Sequence, residues 1–199
     1  MRLSAVLAVS ALGTTMCCAA LANASTVMTI EQVGSDVVAT ASGSIDTTDL
    51  TFLGSVPGGG VVLPDVSVLY MGSAGSTDVY GGSISGPSSF GTGFGEFASS
   101  SSGDDLAIDD YDTEIGVPTG YVSGTALFGT ATWDSTTLST LGITPGTYTW
   151  TWGSGADADS LTLNALAPAP AATPEPAPAT LLALGLIVAL LTARKQLRG

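Results

Sequence analysis

Tyr148-Thr149-Trp150-Thr151-Trp152 alternates an aromatic side chain with threonine at every step. Alternation with a period of two is the mark of a strand with one apolar face. The three rings project to one side of it and the threonines to the other. Thr144-Pro145-Gly146-Thr147 supplies a tight turn just before. Gly153 to Asp159 turns back afterwards into Asp159-Ser160-Leu161-Thr162-Leu163-Asn164, a second alternating run. This strand–turn–strand unit sets the reading of the whole body as β-structure.

Moving toward the N-terminus, the same grammar recurs. Ser123 to Trp133 reads as a strand or hairpin, with Pro118-Thr119-Gly120-Tyr121 as the turn before it. Asp134 to Leu141 is expected to hold one short helical turn. Val27–Val33 and Asp36–Gly43, split by Gly34-Ser35, predict a hairpin. Pro57-Gly58-Gly59-Gly60 is a loop. Val61 to Met71 is β-prone but broken by Pro64, which belongs at a bulge or edge. Asp78 to Ile84 predicts a short strand, and Ser99 to Gly103 a serine loop. Many short strands between Gly, Pro and Asp turns predict an all-β fold, a single β-sandwich or jelly-roll-like domain. Gly43–Gly54 also echoes 131–142, with Asp46/Asp134, Leu50/Leu138, Leu53/Leu141 and Gly54/Gly142 in step.

The charge inventory limits what this domain does. The four basic residues are Arg2, Arg194, Lys195 and Arg198, and there is no His. Residues 23–172 thus lack Lys, Arg and His, yet hold all of the 17 Asp and Glu except Glu175. Nucleic acid is excluded as a partner, because neutralising phosphates takes cations. Anionic polysaccharide is repelled unless a divalent cation bridges it. Without His, Lys or a retained Cys, triad, Schiff-base and thiolate catalysis have no residues to run on. Carboxylate chemistry alone remains, and no enzyme is expected.

Three constellations are worth placing in space. Asp110, Asp112 and Glu114, within the acidic run 104–114, present hard oxygen ligands at alternating positions and would suit Ca²⁺. The run lacks the glycine and distal glutamate of an EF-hand loop, so a solvated acidic loop is the simpler expectation. Trp150 and Trp152 would stack on sugar rings if they faced solvent; facing inward they are core. Glu96 and Glu114 would form a glycosidase pair only if they faced each other at ~5–9 Å.

The two ends read as sorting signals. Arg2 precedes the apolar run Leu3–Leu12, and Ala20-Leu21-Ala22 places small residues at both key cleavage positions. Residues 1–22 therefore predict a signal peptide, cut after Ala22, with Ala22-Asn23-Ala24 as a second possible site. Cys17 and Cys18 leave with it, so the mature chain carries no disulfide. Residues 23–164 form the exported domain and 165–176 a Pro/Ala stalk ending in Pro174-Glu175-Pro176. Residues 177–199 are a short transmembrane helix and basic tail. From Ala179 to Ala193 no residue is charged. A helix over that run covers roughly 22 Å, short of the ~30 Å hydrocarbon core. Arg194 and Lys195 should stay cytoplasmic and the Pro-Glu-Pro face outward.

Pro174-Glu175-Pro176, a short apolar helix and a basic tail at the extreme C-terminus resemble the PEP-CTERM sorting signal of bacterial exported proteins. The resemblance implies recognition by an exosortase, processing near the tripeptide, and delivery to a cell surface or extracellular matrix rich in polysaccharide. The tail departs from the pattern by continuing as Gln196-Leu197-Arg198-Gly199. Residues 86–91, 120–127 and 144–163 also resemble a group of uncharacterised PEP-CTERM proteins. That likeness brings no activity and no site residue with it.

Overall fold

The computed structural model describes residues 25–169. The signal-peptide, Pro-Glu-Pro and membrane-helix expectations lie outside them. The described chain runs through thirteen strands: β1 (Ser25–Val33), β2 (Asp36–Ser44), β3 (Thr51–Pro57), β4 (Val61–Leu63), β5 (Val68–Met71), β6 (Ser76–Gly81), β7 (Glu96–Phe97), β8 (Ser100–Gly103), β9 (Leu106–Asp109), β10 (Glu114–Pro118), β11 (Ala126–Trp133), β12 (Gly146–Trp152) and β13 (Asp159–Ala165). They form two sheets, one ordered β12-β13-β1-β2-β11-β8 and the other β3-β6-β10-β9-β5-β4-β7. The fold is all-β and sandwich-like, as the turn spacing predicts.

Both sheets feed one core. The first contributes alternating positions: Met28 and Ile30, Val37 to Ala41, Leu161 to Ala165. The second contributes Leu69, Met71, Leu106, Ile108, Ile115 and Val117. The three tryptophans of the chain all belong to the first sheet, on β11 and β12, and all are buried. Trp133 donates its indole N–H to the Glu96 carbonyl at 3.1 Å, and Trp152 to the Asp46 carbonyl at 2.8 Å. A buried ring with a polar tip usually finds such a partner, whereas the Trp150 indole N–H has none among the described residues. The β1–β2 hairpin forms as expected, with Val33 opposite Asp36 and Gly34 at φ +64° in the turn. β1 also pairs with β13, in parallel, and no other strand pair in the fold is parallel among the described residues.

Two local expectations are corrected. Ser99–Gly103 is no loop: Ser100–Gly103 is edge strand β8, and its backbone completes the ladder of β11. Serine has weak strand preference, so the pairing partner, not propensity, decides. Pro64 sits at no bulge but opens a 3₁₀ turn, Pro64–Val66, that joins β4 to β5. Its fixed φ suits the first position of a helical turn. Of the two readings of Ser123–Trp133, the single strand holds, as β11. The helical turn after it is a single one, closed by Leu141 N–H to the Thr137 carbonyl at 3.0 Å.

The second sheet is strongly curled. Pro57 ends β3 at one edge, and Val61 starts β4 near the other. Five strand spacings of ~4.8 Å would separate them by roughly 24 Å if the sheet were flat. Four residue steps reach only about 14 Å. The sheet therefore bends until the Gly58-Gly59-Gly60 strap can cross it. Gly58 lies so close to β6 and the start of β9 that a Cβ would fall 2.7 Å from Thr77 Oγ1 and 2.8 Å from Asp105 Oδ2. Small residues line the inside of the bend. A Cβ on Gly116 would meet both Ala107 and Thr77 at 2.8 Å.

A candidate acidic groove with an aromatic rim

The concave face of the curled sheet carries a recess of about 410 Å³. Its walls include Val56 to Val61 from the strap side, and Tyr70, Asp109, Asp112 and Glu114 from the strands beneath. The placement follows from register. Asp109 and Glu114 are cross-strand partners at the ends of β9 and β10, so they share a face with Ala107 and Gly116. Tyr70 pairs with Ala107 and lies on that same face.

Like charges directly opposite each other destabilise a strand pair. Here burial, with neighbouring carboxylates adding to it, pushes both the Asp109 and Glu114 carboxyls above their usual range. Asp109 is partly relieved: it accepts the Tyr70 hydroxyl at 3.2 Å and the Asp112 backbone N–H at 3.3 Å. Burial, then the facing Asp109 carboxylate, raises the Tyr70 hydroxyl far above the usual phenol range, so it stays a donor. At the other end of the bend, Thr77 Oγ1 and Asp105 Oδ1 are buried with no hydrogen-bond partner.

The predicted triad Asp110, Asp112 and Glu114 is not assembled. Asp112 and Glu114 line the groove, but Asp110 does not. The alternation along the hairpin sends Asp109 into the groove and Asp110 away from it. The Asp110 carboxyl is raised by burial and pulled partly back by the nearby Trp150 indole, although Trp150 Nε1 completes no hydrogen bond. Asp109, not singled out in the sequence, takes the place expected for Asp110. Among the described residues, no three His, Cys, Asp or Glu side chains converge as a metal-holding group.

Of the two readings of Trp150 and Trp152, the inward-facing core one holds and sugar stacking does not. They are 0% and 3% exposed, so neither ring has a face to offer. Glu96 and Glu114 are not paired either: Glu96 lines a recess with Trp133 and Asp134, whereas Glu114 lines the groove.

Aromatic rings that do face solvent stand around the groove. Phe94, Phe97 and Tyr111 are 90%, 81% and 73% exposed. Phe97 lines the groove itself and also the neighbouring Trp133 recess. Phe94 and Tyr111 flank a second recess that shares Asp109 with the groove. The rings and carboxylates thus make one continuous surface.

The backbone holding Phe94 and Phe97 is pinned at successive points. Thr92 N–H donates to the Gly142 carbonyl at 2.8 Å, and Asp65 N–H to the Gly93 carbonyl at 3.2 Å. The Trp133 indole holds the Glu96 carbonyl, and Ala98 N–H donates to the Gly60 carbonyl at 2.9 Å. Gly91 and Gly93 press so tightly on Gly142 and Leu141 that a Cβ at either would overlap a backbone carbonyl. Compared with known proteins, the chain matches no family model, no curated protein and no solved structure.

Proposed function

We propose that the chain is an exported, non-catalytic surface or matrix protein whose C-terminal signal is read by an exosortase. One observation carries this reading: the order Pro174-Glu175-Pro176, then the uncharged run Ala179–Ala193, then Arg194-Lys195, at the end of a chain that starts with a signal-peptide pattern. The signal peptide leaves after Ala22. The short helix holds the chain in the membrane, and the Pro-stiffened segment before it offers an extended backbone for cleavage or transfer. The processed domain then stands at the surface or in the extracellular matrix. The absence of His, Lys, Arg and Cys from residues 23–172 supports the non-catalytic part. So does the separation of Glu96 from Glu114.

The test is the intact mass of the protein isolated from its host. A chain ending near residues 173–176, with or without an added group, is the expected result. A mass that retains residues 177–199 would overturn the sorting reading and leave a permanent anchor.

A further inference from the structure

We infer that the surface formed by Phe94, Phe97 and Tyr111 around Asp109 and Glu114 binds a neutral glycan. The rings come first in the argument. A fold that buries all three tryptophans leaves two phenylalanines and a tyrosine almost fully in water. Contiguous apolar exposure of this kind marks an interaction site. The two phenylalanines do not hang on a loose loop, because the segment from Thr92 to Ala98 is bonded to its surroundings at Thr92, Gly93, Glu96 and Ala98. Binding to rings already in position loses little conformational freedom.

Charge then selects the partner. The domain has no basic residue among 23–172, so nucleic acid, anionic lipid surfaces and acidic polymers are repelled. A second copy of the same acidic face is repelled for the same reason. A neutral partner escapes this penalty, and a glycan uses both kinds of group present. The C–H face of a pyranose packs on an aromatic ring. Its hydroxyls donate to carboxylates, which accept hydrogen bonds only. Asp109 accepts from Tyr70 and from the backbone of the turn that follows it, whereas no hydrogen bond to the Glu114 carboxylate is made among the described residues, so the pair keeps acceptor sites for such donors. Flat β-linked glucans, with equatorial hydroxyls and axial C–H faces, fit these requirements best.

The inference is independent of how the C-terminus is processed. It is tested with the full-length chain, kept in a detergent without a sugar headgroup, by electrophoresis through gels containing hydroxyethylcellulose, laminarin or alginate. The expected result is retardation by at least one of the two neutral glucans, persisting at about 1 M salt, where the screening length is ~3 Å. Alginate should retard no more than a blank gel. Phe97→Ala combined with Tyr111→Ala should weaken binding about tenfold, with an unchanged melting midpoint because both rings are exposed. Three outcomes would overturn the inference: no retardation by either glucan, equal retardation by alginate, or wild-type binding by the double variant. A concentration-dependent dimer that the same variant abolishes would also overturn it, by showing that a second copy covers the rings.

Discussion

The Tyr70 hydroxyl donates to Asp109 Oδ2 across 3.2 Å, from β5 to the neighbouring β9. This bond is the main side-chain relief for a carboxylate that burial and Asp112 would otherwise push further up. Tyr70→Phe keeps the ring and removes the donor. It should cost about 1–2 kcal/mol at neutral pH, and raise the Asp109 carboxyl further. Denaturant melts and carboxyl titration by NMR read the two effects separately; a variant of wild-type stability with an unmoved titration would contradict the assignment.

Acid should stabilise this protein before it unfolds it. The Asp159 carboxyl is pushed by burial to about 6 from an ordinary 3.8, despite N–H donors at Asp46 and Ser160. Between those values the folded chain holds a proton that the unfolded chain has released. Stability from this group is therefore full below 3.8 and is lost as pH rises through about 6. Asp105, Asp109, Asp110 and Glu114 are shifted the same way. Asp36, Asp46 and Asp78 are lowered, and their contribution falls away only below the ordinary aspartate range. The denaturation midpoint should thus be higher at mildly acid pH than at neutral pH. Asp159→Asn should flatten that slope, and a midpoint that climbs toward neutrality would refute it.

With no cation among residues 25–169, every carboxylate repels every other. Raising ionic strength from about 0.01 to 0.15 M shortens the screening length from ~30 to ~8 Å, and the melting temperature should rise. Because no three carboxylates converge among the described residues, millimolar Ca²⁺ and Mg²⁺ should raise it equally. A selective response to Ca²⁺ would reveal an assembled site.

Trp150→Ala removes a fully buried ring and should cost about 3–5 kcal/mol, whereas Phe97→Ala should cost close to nothing. The two variants, compared in one denaturation series, separate core aromatics from displayed ones.

Gly93→Ala should loosen the Phe94–Phe97 segment, because its methyl would overlap the Leu141 carbonyl. Glycan retardation and protection of the Thr92 and Ala98 amides from hydrogen exchange should fall together. Normal protection would show that the segment tolerates the extra carbon.

Much of the β pattern was legible because it is local. Trp150 and Trp152 alternate with threonine, and the Gly34 turn joins two apolar runs. What was not legible depends on partners distant in sequence. Ser100–Gly103 becomes a strand only beside β11. Leu50 and Leu138, matched in the internal echo, are both buried, but Leu53 is exposed where Leu141 is covered. Asp109 and Asp110 are chemically identical in sequence; only the register against Glu114 tells which one enters the groove. The rim rings were hidden by composition. Phe94 and Phe97 lie in a glycine-rich stretch that reads as irregular, and exposure has no sequence signature.

The parallel pairing of β1 with β13 has a mechanical consequence. Ser25 lies beside Ser160, and Ile30 beside Ala165, so the body's first residue and its last lie at opposite ends of adjacent strands. Tension applied between those two residues runs along the strand axes, across the evenly spaced, slanted bonds of the parallel ladder. The bonds between β1 and β13 then bear load together and must fail together, instead of opening one at a time like a zipper. β12 and β2 flank the pair on either side, so neither loaded strand is an edge that peels away. Pulled lengthwise, a domain built this way is loaded in shear across its central strand pair.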